Sequence, residues 1–296
     1  MSARSSWALE QGDELSSGLL ALDHLGGGEV FETYLAWDSR MYTVVVAKVV
    51  RPALVDEAWA RAALQTEAEM LDRLDHPFLV RSFGGDLDGR RPHLRLEHVD
   101  GPTLHSVVTG RRAGTLEELL PLALHICSAL HYLSTLGIVH MDIKPRNIIM
   151  GPSPRLIDFS LARSPERIAD IRVPTGTADY MSPEQARVDP ELISPRSDIW
   201  GLAVTLYQAA LGRLPFPPAP DPAPEGADLP TRFPCLAHGP MSPGRDLPAE
   251  LSDVLMRCLR DDPDARPAPS EVVLALEPLV ARLPRPVAGR RRLLFL

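Results

Sequence analysis

Strand and helix patterns occupy different parts of this chain, and their order is the strongest constraint on its fold. Five short segments rich in aliphatic, β-branched and aromatic residues predict strands, the first three as an antiparallel meander: residues 19–25, 30–37, 42–50, 79–83 and 93–98. After Gly101 helical patterns dominate. A chain of 296 residues can form one large domain or two lobes that share a cleft.

The helix predicted over residues 55–74 carries a charged residue in its apolar stripe. Glu67 falls on one face with apolar side chains at spacings of three and four: Trp59, Ala63, Met70 and Leu74. A buried carboxylate is costly unless it is paired. The pattern therefore predicts a buried cation beside Glu67.

The other segments complete the outline of the chain. A capping-box pattern at Thr115 and Glu118 predicts the start of a long core helix. Further helices are predicted over residues 199–211, 249–259 and 269–283. Eleven prolines from Pro215 to Pro248 predict a long irregular surface loop. Residues 1–18 show no clear period and are interpreted as an N-terminal extension of marginal order.

Composition argues against several classes of protein. Hydrophobic residues make up 45% and charged residues 24%, as in ordinary soluble globular proteins. No apolar stretch approaches the roughly 20 residues of a membrane span, and no secretory signal is expected. A net charge of -8 argues against broad nucleic-acid binding. Three cysteines without metal-ligand spacing argue against a disulfide framework or zinc site, so a reducing cytoplasm is expected.

Lysine is nearly absent, although basic residues are common. Of 31 basic residues 29 are arginine, and the two lysines are Lys48 and Lys144. The chain also has a single asparagine, Asn147. Where arginine has displaced lysine throughout, a surviving lysine is a candidate for a position that requires a compact ammonium group. These positions are therefore the first candidates for function.

Lys144 lies in a motif that indicates a catalytic function. Residues 140–147, His-Met-Asp-Ile-Lys-Pro-Arg-Asn, resemble the catalytic loop of protein kinases. The resemblance implies that Asp142 accepts the proton of the substrate hydroxyl, that Lys144 steadies the transferred phosphoryl group and that Asn147 holds magnesium. It also implies ATP and Mg²⁺ as cofactors.

Lys48 lies in a second motif of the same family. It ends the run Val44–Lys48, which resembles the strand whose lysine grips the nucleotide phosphates. The resemblance makes Glu67 the partner of this lysine. The helix pattern and the family motif thus lead to the same ion pair.

A glycine-rich segment resembles the loop that covers the nucleotide phosphates. Gly26 and Gly28 match the first two glycines of that loop, but Phe31 stands where the family has its third. The resemblance implies further cofactor-binding residues, the first two expected on either side of adenine: Ala36, Ala47, Glu97 and Val99.

Residues 156–160 resemble the metal-binding D-F-G motif. The resemblance places Asp158 on magnesium and packs Phe159 into the core. Ser160 replaces the glycine of the motif, which removes its most permissive backbone position without touching the metal ligand.

Residues 176–184 resemble the segment that forms the peptide-binding platform of protein kinases. The resemblance implies that Thr177 bridges the catalytic-loop aspartate and lysine, a pattern of serine/threonine kinases. It also implies that Glu184 pairs with Arg266 and that Asp198 braces the catalytic loop.

The resemblance runs from about residue 19 to residue 283 and implies an α+β, bilobal protein kinase fold. A small antiparallel sheet with one main helix is expected in the N-lobe, and mainly helices in the C-lobe. The expected parts are an N-terminal extension, the N-lobe, the C-lobe with its proline-rich loop at 215–248, and a basic-apolar tail: residues 1–18, 19–97, 98–283 and 284–296.

The leading hypothesis is a serine/threonine protein kinase that acts on protein substrates in signalling. The first alternative is a pseudokinase that binds nucleotide or a partner without efficient turnover, and it rests on Phe31, Met141 and Ser160. The second is a small-molecule phosphotransferase of the aminoglycoside or choline kinase type, which lacks the peptide-binding platform. The tail at Arg290–Leu296 predicts at most a weak contact with a partner or an anionic membrane.

Met141 predicts how the activation segment, which runs from the D-F-G motif to residues 176–184, is controlled. In kinases regulated by phosphorylation of this segment, an arginine before the catalytic aspartate helps to receive the phosphate. A thioether cannot pair with a phosphate, so we expect the segment to be ordered by packing or by a partner. The alternative is that Arg163 or Arg172 supplies the missing charge.

Overall fold

The computed structural model describes residues 5–110 and 114–283, which form two compact units. Among the described residues, the first unit contains residues 5–75 and 79–99, and the second contains residues 76–78, 100–110 and 114–283. The boundary lies close to the predicted one at residue 97. The predicted contact of the tail at Arg290–Leu296 lies outside the described residues.

The first unit is built on a six-stranded antiparallel sheet with the order β1-β2-β3-β4-β6-β5. Its strands are β1 (Glu14–Ser16), β2 (Leu19–Gly27), β3 (Phe31–Asp38), β4 (Thr43–Val50), β5 (Ser82–Asp86) and β6 (His93–Glu97). Four of the five predicted strands are confirmed closely, and β5 begins three residues later than predicted. The short strand β1 is additional, so part of the predicted extension of marginal order belongs to the sheet.

The register of β3 and β4 decides which side chains share a face. The pairing is continuous, with Thr33 opposite Lys48 and Tyr34 opposite Ala47. Because successive residues of a strand point to opposite faces, Lys48 lies on one face and Ala47 on the other. The face that contains Ala47 is covered by a buried apolar cluster: Leu15, Leu19, Ala21, Tyr34, Ala36, Val45, Ala47 and Val49.

Helix α1 (Ala58–Leu71) confirms the predicted helix and corrects its buried face. The buried positions include Ala60, Leu64 and Glu67, whereas Trp59 is 54% exposed. The apolar stripe therefore begins one residue later than predicted, but Glu67 is buried as expected.

The second unit is mainly helical and also contains a two-stranded ribbon. Its elements are α2 (Leu104–Gly110), α3 (Leu116–Thr135), β7 (Ile148–Ile149), β8 (Arg155–Leu156), α4 (Pro165–Ile168), α5 (Pro183–Arg187), α6 (Pro195–Leu211), α7 (Leu229–Arg232), α8 (Ala249–Cys258) and α9 (Pro269–Val280). The Thr115 N–H donates to the Glu118 carboxylate at 3.0 Å, as the capping-box pattern predicts. Across the described residues, no helix is both long and apolar enough to span a bilayer.

The proline-rich segment at 215–248 is more ordered than predicted. It contains α7, and Phe233 is buried beside Met181 and Ala186. The Ala219 N–H also donates to the Asp179 carboxylate at 2.6 Å. These contacts attach the segment to the second unit, so it is not simply a solvated loop.

Candidate active site

An ion pair in the first unit joins β4 to α1. The Lys48 Nζ atom lies 2.8 Å from Oε1 and 2.7 Å from Oε2 of Glu67. Both side chains are buried, so each charge needs the other. The expected partnership of Lys48 and Glu67 is therefore present in the structure.

The glycine-rich turn between β2 and β3 is closed by its own backbone. The Gly28 N–H donates to the Phe31 carbonyl at 2.9 Å. Gly26 has a φ of 112°, which favours glycine. A Cβ atom on Gly27 would collide with the backbone of Phe31 and Glu32. Two consecutive glycines thus have a structural reason to be where they are.

Phe31 contributes a contact to the lysine. Its aromatic ring lies over the Lys48 ammonium, with 5.0 Å between Nζ and the ring centroid. A cation above an aromatic face is attracted to it. The substitution for the third glycine therefore places a side chain on the group expected to bind phosphate.

The expected adenine contacts of Ala36 and Ala47 are contradicted by the register. Both residues are fully buried in the apolar cluster on the face opposite Lys48. Residues on the same face as Lys48 include Thr33 and Val46, and both are partly exposed. These two residues therefore offer apolar surface on the face of the lysine.

Glu97 and Val99 lie at the end of β6, where the first unit ends. The Glu97 carboxylate binds the Arg81 guanidinium, with Oε1 3.1 Å from Nη2 and Oε2 3.2 Å from Nε. The Glu97 side chain is thus engaged with a neighbouring arginine.

Three side chains of the second unit form a closed hydrogen-bonded triangle. Lys144 Nζ donates to Asp142 Oδ2 at 2.6 Å and to Thr177 Oγ1 at 2.7 Å. Thr177 Oγ1 donates to Asp142 Oδ1 at 2.7 Å. Asp142 is 7% exposed, so the triangle is largely shielded from water. Thr177 lies 33 positions after Lys144, and its contact with the catalytic loop is the one that the resemblance implies.

Asn147 and Asp158 supply oxygen atoms suited to a hard divalent cation. Asn147 Nδ2 donates to the Asp142 main-chain carbonyl at 2.9 Å and to Asp142 Oδ2 at 3.1 Å, which leaves its amide oxygen as the ligand atom. One or two carboxylates together with substrate phosphates are a usual Mg²⁺ environment. The donor set therefore fits Mg²⁺, although no cluster of three acidic, histidine or cysteine ligands occurs in residues 5–110 and 114–283.

Ser160 binds the carboxylate of Asp158. Its Oγ donates to Asp158 Oδ1 at 2.6 Å. Asp158 has a φ of 66°, in the left-handed region. The serine that replaces the family glycine thus gives the expected metal ligand a hydrogen-bond donor that glycine could not provide.

Asp198 braces the catalytic loop from helix α6. Its carboxylate accepts the main-chain N–H groups of His140 and Met141 at 2.7 and 2.9 Å. Burial raises the pKa of Asp198 to about 7, and these two donors oppose the shift. The structure therefore agrees with the expected bracing role of Asp198.

His140 closes the other side of the same loop. Burial lowers the pKa of His140, which favours the neutral ring. A neutral ring can accept the Asp142 N–H on Nδ1, at 3.3 Å, and donate from Nε2 to the Ile157 carbonyl, also at 3.3 Å. The imidazole thus links the loop to the residue before Asp158.

Met141 is buried in an apolar cluster with Ile168 and Ile171 of the activation segment and with Val139 and Ile193. Gln185 strengthens this arrangement, because its Nε2 donates to the carbonyls of Met141 and Thr175 at 2.8 and 2.9 Å. The two arginines proposed as alternative phosphate ligands donate to nearby main-chain carbonyls. The apolar cluster and the Gln185 hydrogen bonds therefore attach the activation segment to the loop that contains Met141.

Glu184 and Arg266 form a buried, bidentate ion pair. Nη1 and Nη2 of Arg266 lie 2.7 and 2.8 Å from Oε1 and Oε2 of Glu184. Ser197 Oγ also donates to Oε1 at 2.6 Å. The predicted pair is confirmed, and it ties residues 176–184 to the helical part of the unit.

A comparison with family models decides the assignment of the chain. Residues 20–275 match the model described as the protein kinase domain. This chain belongs to that family. A solved kinase-domain crystal structure is similar with a TM-score of 0.73 over 90% of this chain and 97% of that chain, and at 19% identity it supports the α+β, two-lobed kinase fold alone.

Curated relatives of this kinase domain include serine/threonine-protein kinase PknB of Mycobacterium tuberculosis, which is 30% identical over 255 residues. That match covers 82% of this chain and 39% of PknB. A probable serine/threonine-protein kinase of Streptomyces coelicolor is also 30% identical, with coverage of 82% and 37%. The chain thus spans less than half of the length of these relatives.

Sequence reasoning missed two kinds of residue in this kinase domain. Thr33 and Val46 could have been found by counting alternate positions from Lys48 along the paired strands. Gln185 had no comparable signal, because its partners lie 44 and 10 residues away and are main-chain atoms.

Proposed function

We propose that this kinase domain transfers the γ-phosphate of ATP to serine and threonine hydroxyls of protein substrates. The observation that carries the proposal is the triangle of Asp142, Lys144 and Thr177. It provides a carboxylate, an ammonium and a hydroxyl within hydrogen-bond distance of one another, which suits proton removal beside a highly charged phosphoryl group.

In this proposal the acceptor hydroxyl gives its proton to the Asp142 carboxylate. The hydroxyl oxygen bonds to the γ-phosphorus, the bond from that phosphorus to the bridging oxygen breaks, and ADP leaves. The Lys144 ammonium, 2.6 Å from Asp142, offsets negative charge on the transferred group. The Thr177 hydroxyl binds both the Asp142 carboxylate and the Lys144 ammonium and so fixes their relative positions.

The nucleotide-binding and metal-binding groups have complementary roles in this proposal. Lys48, held by Glu67, would bind the phosphates, and Thr33 and Val46 would offer apolar contact to the base. The main chain at 97–99 would provide polar contacts to the base. Asp158 and Asn147 would hold Mg²⁺, which supplies neutralisation of phosphate charge when bound.

Protein rather than small-molecule acceptors are favoured by the segment at 176–184. The Glu184–Arg266 pair and the burial of Met181 against Phe233 give that segment a fixed support. The curated relatives are named serine/threonine-protein kinases, which agrees with this choice. A role in cytoplasmic signalling remains the prediction made from the sequence.

Replacement of Asp142 by Asn tests the proposal directly. We expect transfer from labelled ATP to a generic protein substrate to fall by roughly 10² to 10⁴. The affinity for ATP, measured by calorimetry, should stay within about threefold, because Asp142 acts on the acceptor. The exposed Asp170→Asn is the matched control and should retain activity. Unchanged turnover in Asp142→Asn would contradict the proposed transfer mechanism.

A nucleotide-binding scaffold without turnover is the second candidate. It is favoured by the Phe31 ring over Lys48 and by the Ser160 hydroxyl on Asp158. The same experiment separates the two candidates. Binding of ATP without phosphoryl transfer by the unaltered protein would favour the scaffold.

A further inference from the structure

A segment before the matched family region packs against the sheet of the first unit. We call residues 5–9 the N-terminal strap; the family match begins only at residue 20. Every second side chain, namely Ser5, Trp7 and Leu9, is partly buried, and the intervening side chains are exposed. Trp7 and Leu9 pack on the buried apolar cluster of the sheet. The strap is therefore an ordered part of this unit.

Trp7 fixes the strap with both its main chain and its ring. Its N–H donates to Glu32 Oε1 at 2.8 Å, and its indole Nε1 donates to the Val50 carbonyl at 2.9 Å. The Arg91 guanidinium lies over the indole ring at 4.8 Å. These contacts join the strap to two strands and to the segment before β6.

The Glu32 carboxylate is fully buried, and the strap provides one of the hydrogen-bond donors that stabilise it. Oε1 accepts from the Trp7 N–H and from the Tyr34 hydroxyl at 3.2 Å, and Oε2 lies 3.3 Å from Nη1 of Arg51. A buried carboxylate is stable only when donors surround it. Loss of the strap would remove a donor and expose the pair to water.

Arg51 carries the effect of the strap to the glycine-rich turn. Its Nη1 donates to the Ser5 carbonyl at 3.0 Å, and its Nε donates to the Gly28 carbonyl at 2.8 Å. The Arg51 main-chain N–H donates to the Val30 carbonyl at 3.0 Å. One guanidinium therefore binds the strap, the Glu32 carboxylate and the glycine-rich turn.

We propose that the N-terminal strap is a positioning element for the glycine-rich turn. By holding Glu32 and Arg51 in place, it keeps Gly28 in the conformation that binds the phosphates of ATP. This role rests on the proposed kinase function and deepens it, since it assigns part of the ATP site to residues outside the matched family region. Trp7 acts through other residues and is not a catalytic residue.

The test compares Trp7→Ala and Trp7→Phe in the full chain with a matched control, Trp59→Ala, which removes an exposed tryptophan from the same unit. In Trp7→Ala we expect amide exchange at residues 26–32 to rise about tenfold, while the helix at 199–211 is unchanged. The KM for ATP should rise about fivefold with kcat within about twofold. Both variants keep the main-chain N–H that binds Glu32, but only Trp7→Phe keeps an aromatic ring to pack on the sheet and against Arg91, so it should restore most of both properties.

Several outcomes would overturn the strap proposal. Unchanged exchange at residues 26–32 in Trp7→Ala would show that the strap does not hold the turn. Equal increases at residues 26–32 and 199–211, or the same effects in Trp59→Ala, would show a general loss of stability. If the unaltered protein has no turnover, the kinase proposal fails, but exchange and ATP affinity by calorimetry still decide the role of the strap.

Discussion

The catalytic loop and the glycine-rich turn reach their conformations by different means. In the catalytic loop, side chains bind one another directly, as in the contacts of 2.6 to 3.1 Å around Asp142. In the glycine-rich turn the backbone path matters, and it is held from outside by Arg51. The first region keeps the aspartate, lysine and asparagine of the family pattern, although Met141 stands in place of its arginine, whereas in the second Phe31 stands where the family has its third glycine.

This difference shows which features of a site tolerate replacement. A group that must donate, accept or carry charge at one point needs a particular side chain, and the two lysines of the chain occupy such points. A backbone conformation can be stabilised by many different contacts. In the turn, Phe31 stands at the third glycine position with its ring at Lys48, and the Arg51 guanidinium binds the Gly28 carbonyl.

After Asp142→Asn, the largest expected effect comes from replacing Lys48 with Arg. If this position requires a compact ammonium, activity should fall by about 10² or more, because the planar guanidinium is larger and cannot occupy the same point beside Glu67. Initial rates and thermal melting would be measured together. Near-normal rates would show that the scarcity of lysine in this chain has no functional meaning.

An exposed pair provides the matched control for this substitution. Arg282 binds Glu250 at 2.8 Å, and both side chains are largely exposed. The Arg282→Lys variant should have unchanged activity and an unchanged melting temperature, because exposed ion pairs contribute little to stability.

The parts of the site that were predictable depend on side-chain identity at fixed spacing. Lys48, Glu67 and Asp142 carry such signals, and the structure gives each the expected partner. The resemblance puts Ala47 beside adenine, but the register puts it on the face opposite Lys48. The alternation of side chains along a strand predicts this, because Ala47 and Lys48 are consecutive residues.

The N-terminal strap was harder to predict for a physical reason. Its signal is an alternation of only Trp7 and Leu9, which is too short to separate from chance. Its partners Glu32 and Val50 lie 25 and 43 residues from Trp7, so only the folded sheet brings them together. Long-range contacts of this kind leave almost no local pattern.

A smaller effect is expected at Phe31, and it sharpens the contrast between the two regions. Phe31→Leu removes the aromatic face that lies over Lys48. Because the ring competes with phosphate for the ammonium, ATP should bind about threefold more tightly, which corresponds to about 0.7 kcal/mol. Adenosine, which lacks phosphates, should bind equally well to both proteins. Calorimetric titration with both ligands measures the difference.

Phe83→Leu is the control for Phe31→Leu, since Phe83 belongs to the same sheet but packs on the buried cluster. It should change neither affinity. If Phe31→Leu alters ATP and adenosine affinity equally, the ring acts on the shape of the site and not on the lysine charge.

The smallest expected effect concerns phosphorylation of the activation segment. Met141 packs with Ile168 and Ile171, so the segment has an apolar anchor where a phosphate-dependent kinase has a basic pocket. Protein that is made with a phosphatase, and shown by mass spectrometry to be unmodified, should therefore keep its initial rate within about threefold. The Ser164→Ala, Thr175→Ala double variant should do the same.

Asp142→Asn protein made without phosphatase shows whether any modification comes from the host. A drop of more than about tenfold on dephosphorylation, about 1.4 kcal/mol of barrier, would mean that packing alone does not order the segment.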